Sequence, residues 1–374
     1  MSKALQQQRI VVLDTVKGIC ILIIMLHHSN ISHFLREYFP QHHQTLFFAF
    51  AMAVPSALAS FYIFSGYTFR DCGQAIRKRA KKLLIPYFYW GIGITAIGNL
   101  SALYFGNPIS LEKNLQHLAG LIYSKALLLT RNPESVIGHP GQHLNMQLLA
   151  GDTGPLWFLT SLFTGYLLFI PLYRAKGRQI PLIILLYLVL TYLFHFSPFL
   201  LPWSLDMAPF CAILLYTGSK LKHLFPLIRG VGSYIALLLI ALSVHAAINL
   251  HTAPIELFVR EYGTCGIYSP ICCLIIGILG SLIYSILAIG LEKAHVHHIF
   301  SYLGRASLTL LCSHVPIYFL FRDFFSRIAY YMNIECKYSN MFIMEFSLAL
   351  SGGILFHLLL ERIKHLHSNK KVLP

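Results

Sequence analysis

Residues 9–30 read RIVVLDTVKGICILIIMLHHSN, and the order of residue types in this stretch decides the fold. Apolar residues dominate it, and at 1.5 Å per residue it is long enough to cross a hydrocarbon core of about 30 Å. Yet Asp14, Lys17, His27 and His28 sit inside it. Ionisable groups within a span are costly and by default mark function. Lys17 and His28 are eleven residues apart, three turns plus about 20°, so one helix face carries both, about 16–17 Å apart along the axis. Asp14, one turn before Lys17, can neutralise it, while His27 points about 100° away. On spacing alone two readings stay open. Either this is a working face, or Lys17 and Asp14 snorkel to the inner interface and the histidines cap the outer end. No small-residue cleavage site follows the apolar run, so the expectation is a retained first span and not a removable signal.

Working outward, the 374 residues are 56% hydrophobic and 11% charged, against about 25% charged in an ordinary soluble domain, and mean hydropathy is +0.63. A core cannot absorb that much apolar surface, so lipid must solvate much of it. Soluble enzymes, nucleic-acid binders and disordered scaffolds are thereby poor readings. The fold expected is all-α: a polytopic integral membrane protein of about ten spans, at roughly 11–31, 46–69, 83–105, 156–173, 180–197, 199–218, 230–250, 264–290, 300–321 and 340–360. The whole chain, 1–374, then forms one membrane-embedded domain with a single long outer loop at about 106–155, which contains NPESVIGHPGQH at 132–143. With both termini in the cytoplasm, 21 of the 29 Lys and Arg fall on inner loops, tails and span ends, and 8 outside. The positive-inside rule therefore gives N-in, C-in and accounts for the formal charge of +15 without nucleic acid. The eight cysteines lie mostly in apolar stretches without CxxC spacing, and the HVHH run at 295–298 lacks carboxylate or cysteine support, so no metal site is expected.

Six short motifs in order down the chain carry a resemblance. The first is R-I-x-x-x-D-x-x-K-G-I from Arg9, with His28 and Ser29 following. Next come FYIFSGYTF at 61–69, RKRAKKLLIPYFYWG at 77–91 and GPLWFLTSLF at 154–163. LPWSLDMAPFCAILLYTGSKLK at 201–222 and YLGRASLTLLCSHVPI at 302–317 complete the set. Together they resemble the acyltransferase family 3 integral membrane O-acyltransferases, in particular the fucose or polysaccharide O-acetylase branch. Two departures stand out. His27 occupies the position of a small or aromatic residue, and the basic motif reads Arg79-x-x-Lys82 where paired arginines are usual. No hydrolase-like domain follows the last span, which fits a stand-alone membrane form.

The resemblance implies an enzyme located in a bacterial inner membrane. It would move an acyl group, most simply acetyl from acetyl-CoA, to a hydroxyl of a sugar, polysaccharide or lipid-linked glycan, without a metal. O-acylation needs a base for the hydroxyl proton and a cationic seat for the CoA phosphates. Neutral imidazole suits the first task, and the resemblance gives that role to His28, whether as general base or as carrier of an acyl intermediate. Lys17 and Asp14 join it on the same face, and His314 is placed to orient His28 or the acceptor, although a buried core imidazole is the plainer reading. Arg79 and Lys82 are the candidate CoA contacts; the alternative is a positive-inside loop meeting anionic lipid. Ser65 and Tyr67 can hydrogen-bond the donor, or Ser65-Gly66 can simply permit close helix packing. Trp157 reads equally as an outer-interface anchor or as acceptor stacking, and Asp206 is expected to pair with a cation on another helix. Two other classes compete: a secondary transporter, disfavoured by the lack of repeats, and a polysaccharide polymerase or flippase, disfavoured by its basic residues clustering inside.

Overall fold

The computed structural model describes residues 3–29, 31–71, 73–104, 106, 109–124, 154–197, 201–224, 231–252, 255, 257, 262, 265–332 and 338–370. All regular secondary structure among them is helical. In chain order the α-helices are α1 (Lys3–His28), α2 (Ile31–Tyr38), α3 (His43–Tyr67), α4 (Ala75–Tyr104), α5 (Leu111–Tyr123), α6 (Trp157–Arg174) and α7 (Gln179–Phe196). They continue as α8 (Ala208–Leu224), α9 (Val231–Thr252), α10 (Ser269–Lys293), α11 (His298–Arg305), α12 (Ser307–Met332) and α13 (Tyr338–Lys370). The NPESVIGHPGQH stretch of the expected outer loop lies outside the described residues. The flank before it contains α5, whose N-terminus is capped by Ser110, the hydroxyl accepting from the Lys113 N–H at 3.2 Å.

Among the described residues seven helices are long and apolar enough to cross a membrane: α1, α3, α4, α6, α9, α10 and α13. Hydropathy over 18 or more residues requires every backbone N–H and C=O to be satisfied internally, and helices do this. Of the other expected spans, α7 is apolar but shorter, and α8 begins only at Ala208, after a turn. The expected span at 300–321 is two helices, because the chain breaks at Ala306. α11 is amphipathic, burying Ser301, Leu303 and Gly304 and exposing His298, Ile299 and Arg305, so it lies against a neighbour instead of continuing α12.

The chain divides into two compact units, residues 1–50 with 287–374, and residues 51–286, the divisions falling within α3 and α10. In the first unit α1 packs on α11 and α12, α12 on α13, and α13 on α2. A Cβ on Gly18 would stand 1.9 Å from the Phe300 carbonyl oxygen, and one on Gly304 would stand 1.7 Å from that of Asp14. α1 and α11 therefore cross backbone to backbone, each supplying the glycine the other needs.

The second unit repeats this device. Gly66 of α3 faces the Leu215 carbonyl at 1.9 Å from its would-be Cβ, and Gly218 of α8 faces that of Ile63 at 1.8 Å. α6 packs against both α8 and α4 and is largely buried. α5 docks on α4, where the Tyr87 hydroxyl donates to the Leu121 carbonyl at 2.7 Å. α3 and α10 are joined by hydroxyls, Ser60 to Ser281 at 2.8 Å and Ser56 to the Ile276 carbonyl at 3.3 Å. Ser56 also meets His245 of α9 at 2.7 Å.

Candidate active site

The first unit holds Asp14, Lys17, His28 and His314. α1 runs without interruption from Lys3 to His28, so Lys17 and His28 share a face at the spacing their sequence positions require. The Lys17 ammonium lies 3.5 Å from the Asp14 carboxylate, and the two side chains keep 30% and 15% of their surface exposed. At the far end of the helix the His28 ring is exposed and stands 5.3 Å from the His314 ring, centroid to centroid. His27 contacts His28 but is not seen against His314 among the described residues. The histidine that periodicity selected is therefore the one that meets the His314 imidazole of α12.

His314 is fully buried on α12. Its Nδ1 lies 2.8 Å from the Leu310 carbonyl, which can only accept, so Nδ1 carries the proton and Nε2 the lone pair. That Nε2 is buried and makes no hydrogen bond among the described residues. One turn on, Tyr318 sets its ring edge-on to His314 at 5.8 Å, and its hydroxyl donates to the Met25 carbonyl at 2.9 Å. This bond ties α12 to α1 three residues before His28. Glu345 of α13, 2% exposed, lies within electrostatic reach of Tyr318. Neither Tyr318 nor Glu345 was singled out from the sequence. An acid inside an apolar run, MFIMEFSLAL at 341–350, was the signal available for Glu345.

The second unit holds Ser65, Tyr67, Arg79 and Lys82. Arg79 is half-buried, and its guanidinium lies over the Tyr166 ring at 4.5 Å and the Phe69 ring at 5.7 Å. The Tyr166 hydroxyl donates to the Ser65 carbonyl at 3.1 Å, so the basic motif and the SGY segment meet through this tyrosine. Tyr67 is buried with its ring 6.2 Å from Phe64, and Lys82 is exposed. Nearby, Arg174 grips Asp71 with two parallel bonds of 2.8 and 2.9 Å. Trp157 is a core residue, 7% exposed and edge-on to Phe158, which fits neither an interface anchor nor an open stacking platform. Asp206 is fully buried just before α8. Trp203 and Ser204 ahead of it both have positive φ, 56° and 54°. The Trp203 indole donates to the Ile122 carbonyl at 2.7 Å, and its own carbonyl accepts from Thr164 at 3.2 Å, which holds that backbone in place.

Among the described residues, seven helices of this length and apolarity define an all-α integral membrane protein, and one of them, α1, brings His28 to His314 of α12. A family model described as an acyltransferase domain matches residues 10–362. The chain belongs to this family, acyltransferase family 3, and is a membrane acyltransferase. The matched region includes all eight candidate residues in the two units. No curated protein and no solved structure matches the chain.

Proposed function

We propose that this acyltransferase moves an acetyl group from cytoplasmic acetyl-CoA to a hydroxyl of a sugar, polysaccharide or lipid-linked glycan, with His28 as general base. The acceptor oxygen attacks the thioester carbonyl, the new C–O bond forms as the C–S bond breaks, and the CoA thiolate leaves. The hydroxyl proton passes to His28 and from there to the thiolate. His314, whose tautomer is fixed by Leu310, keeps its Nε2 lone pair free on the ring that meets His28. Arg79 and Lys82 seat the CoA phosphates, with Ser65 and Tyr67 alongside the donor. Lys17 with Asp14 supplies a partly neutralised cation at the cytoplasmic end of the same helix face. The Lys and Arg distribution supports the N-in, C-in orientation in a bacterial inner membrane.

The observation that carries this reading is the meeting of His28 with His314 at 5.3 Å in a chain of the acyltransferase family. The test is to incubate detergent-purified protein with acetyl-CoA labelled in the acetyl group and a panel of sugars and glycolipids. Label should reach an alkali-labile ester on a glycan in the wild type and not in His28→Ala. Label that never leaves CoA with any hydroxyl acceptor would reject the reading.

A further inference from the structure

A guanidinium is a planar ion with five N–H donors around its edge and none on its faces. The Arg79 guanidinium carbon lies over the Tyr166 ring at 4.5 Å, with the Phe69 ring also in reach at 5.7 Å, and the group makes no ion pair or hydrogen bond among the described residues. Stacking uses the face and leaves the edge. Asp71, two residues after Phe69, is engaged by Nε and Nη2 of Arg174. Tyr166 in turn is 1% exposed, so packing fixes its ring plane, and its hydroxyl is anchored on the Ser65 carbonyl at 3.1 Å. A half-buried arginine held over two rings loses little rotamer freedom when it binds.

The geometry points to Tyr166 as the positioning residue of the donor site: it holds the Arg79 guanidinium by its face so that the open edge takes two oxygens of one CoA phosphate. This rests on the reading of Arg79 as a CoA contact given above. The sequence did not disclose it, since Tyr166 lies 87 residues from Arg79 and outside the six motifs. It also assigns a reason for arginine at position 79 where lysine serves at position 82. An ammonium is a point charge and can neither stack flat on Tyr166 nor offer a two-pronged edge.

The experiment is equilibrium binding of radiolabelled coenzyme A to the full-length protein in detergent, arranged as a double-mutant cycle over Arg79→Ala and Tyr166→Leu. Removing the ring from the wild type should weaken binding roughly ten-fold, as loss of a desolvated cation–π contact does. In the Arg79→Ala background the same change should cost less than about two-fold, because the ring then has nothing to hold. Tyr166→Phe, which keeps the ring and loses only the anchor, should fall between wild type and Tyr166→Leu. Equal losses in both backgrounds would overturn the inference while leaving Arg79 as a CoA contact. Unchanged binding in Arg79→Ala would reject the donor-seat reading itself, and this inference with it. Should Tyr166→Leu fail to fold, Arg79→Lys reads the same stack from the other side: binding as weak as in Arg79→Ala supports the inference, and binding equal to wild type overturns it.

Discussion

Replacing Gly304 by alanine adds one carbon at a point that the structure shows to be occupied. That carbon would lie 1.7 Å from the Asp14 carbonyl oxygen. Carbon and carbonyl oxygen rest at about 3.3 Å or more, so α11 and α1 must part locally by about 1.6 Å. The obstacle is backbone, which cannot rotate aside as a side chain can. Overpacking of this kind costs about 1–3 kcal/mol and occasionally more, and a clash with main chain belongs at the top of that range. The same substitution at Gly98, in the interior of α4, meets nothing within 4 Å. There alanine should be neutral or stabilising by up to about 1 kcal/mol, since glycine is the poorer helix former. The assay is thermal unfolding of purified protein with a thiol-reactive dye, because Cys20, Cys211, Cys273 and Cys312 are buried and become reactive only on unfolding. Gly304→Ala should melt well below the wild type and Gly98→Ala at or above it. A Gly304→Ala protein that melts with the wild type, or a loss at Gly98 of equal size, would refute the backbone-crossing argument.

At matched protein level, His28→Ala should lower acylation about 10²–10⁴-fold, whereas His27→Ala keeps most activity. An active His28→Ala beside a dead His27→Ala would show that the wrong imidazole was chosen. His314→Ala removes the second ring of the pair and should lower kcat with little change in the Michaelis constant for acetyl-CoA. An effect confined to that constant would place His314 with the donor instead. The double substitution Arg79→Ala with Lys82→Ala should raise the Michaelis constant for acetyl-CoA more than that for the acceptor, as loss of phosphate contacts does. A change in acceptor affinity alone would move the CoA seat elsewhere. A reporter fused after Lys82 should read as cytoplasmic and one after Gly106 as external; the reverse at both sites would overturn the proposed orientation.

Hydropathy was legible because it sums over a window and needs no knowledge of neighbours. Each of the ten apolar segments contains helix, and the chain is all-α and membrane-embedded as expected. The break at Ala306 escaped the window, because the mean over 300–321 cannot tell one apolar helix from an amphipathic turn-and-a-half followed by another. The Lys17–His28 face was legible for a similar reason. It depends only on the helical repeat within one uninterrupted element. What joins elements was not. His314 could be named as a candidate, but its approach to His28 depends on how α12 lies on α1, and that is set partly by the Tyr318 bond to the Met25 carbonyl. Tyr166 and Glu345 acquire meaning only through partners far away in sequence. Close packing is one of the two readings the Ser65-Gly66 pair allows, and Gly66 does pack against Leu215. Gly18 and Gly304 sat inside quoted motifs without any sign that each is there for the other's helix.

The glycine crossings also bear on how this enzyme can recover from damage. At Gly18, Gly66, Gly218 and Gly304 the atom opposite is a carbonyl oxygen, and no amino-acid exchange in the facing helix removes a carbonyl. A genetic selection starting from a defective alanine at any of them should return restoration of the glycine itself and no second-site suppressor in the facing helix. Gly277 and Gly353 behave differently, because they face the side chains of Ala59 and Leu310. There a compensating trim is available, Ala59→Gly for a defect at Gly277 and a smaller residue at Leu310 for one at Gly353. The spectrum of revertants would thus map, from phenotype alone, where the helices of this protein touch main chain to main chain.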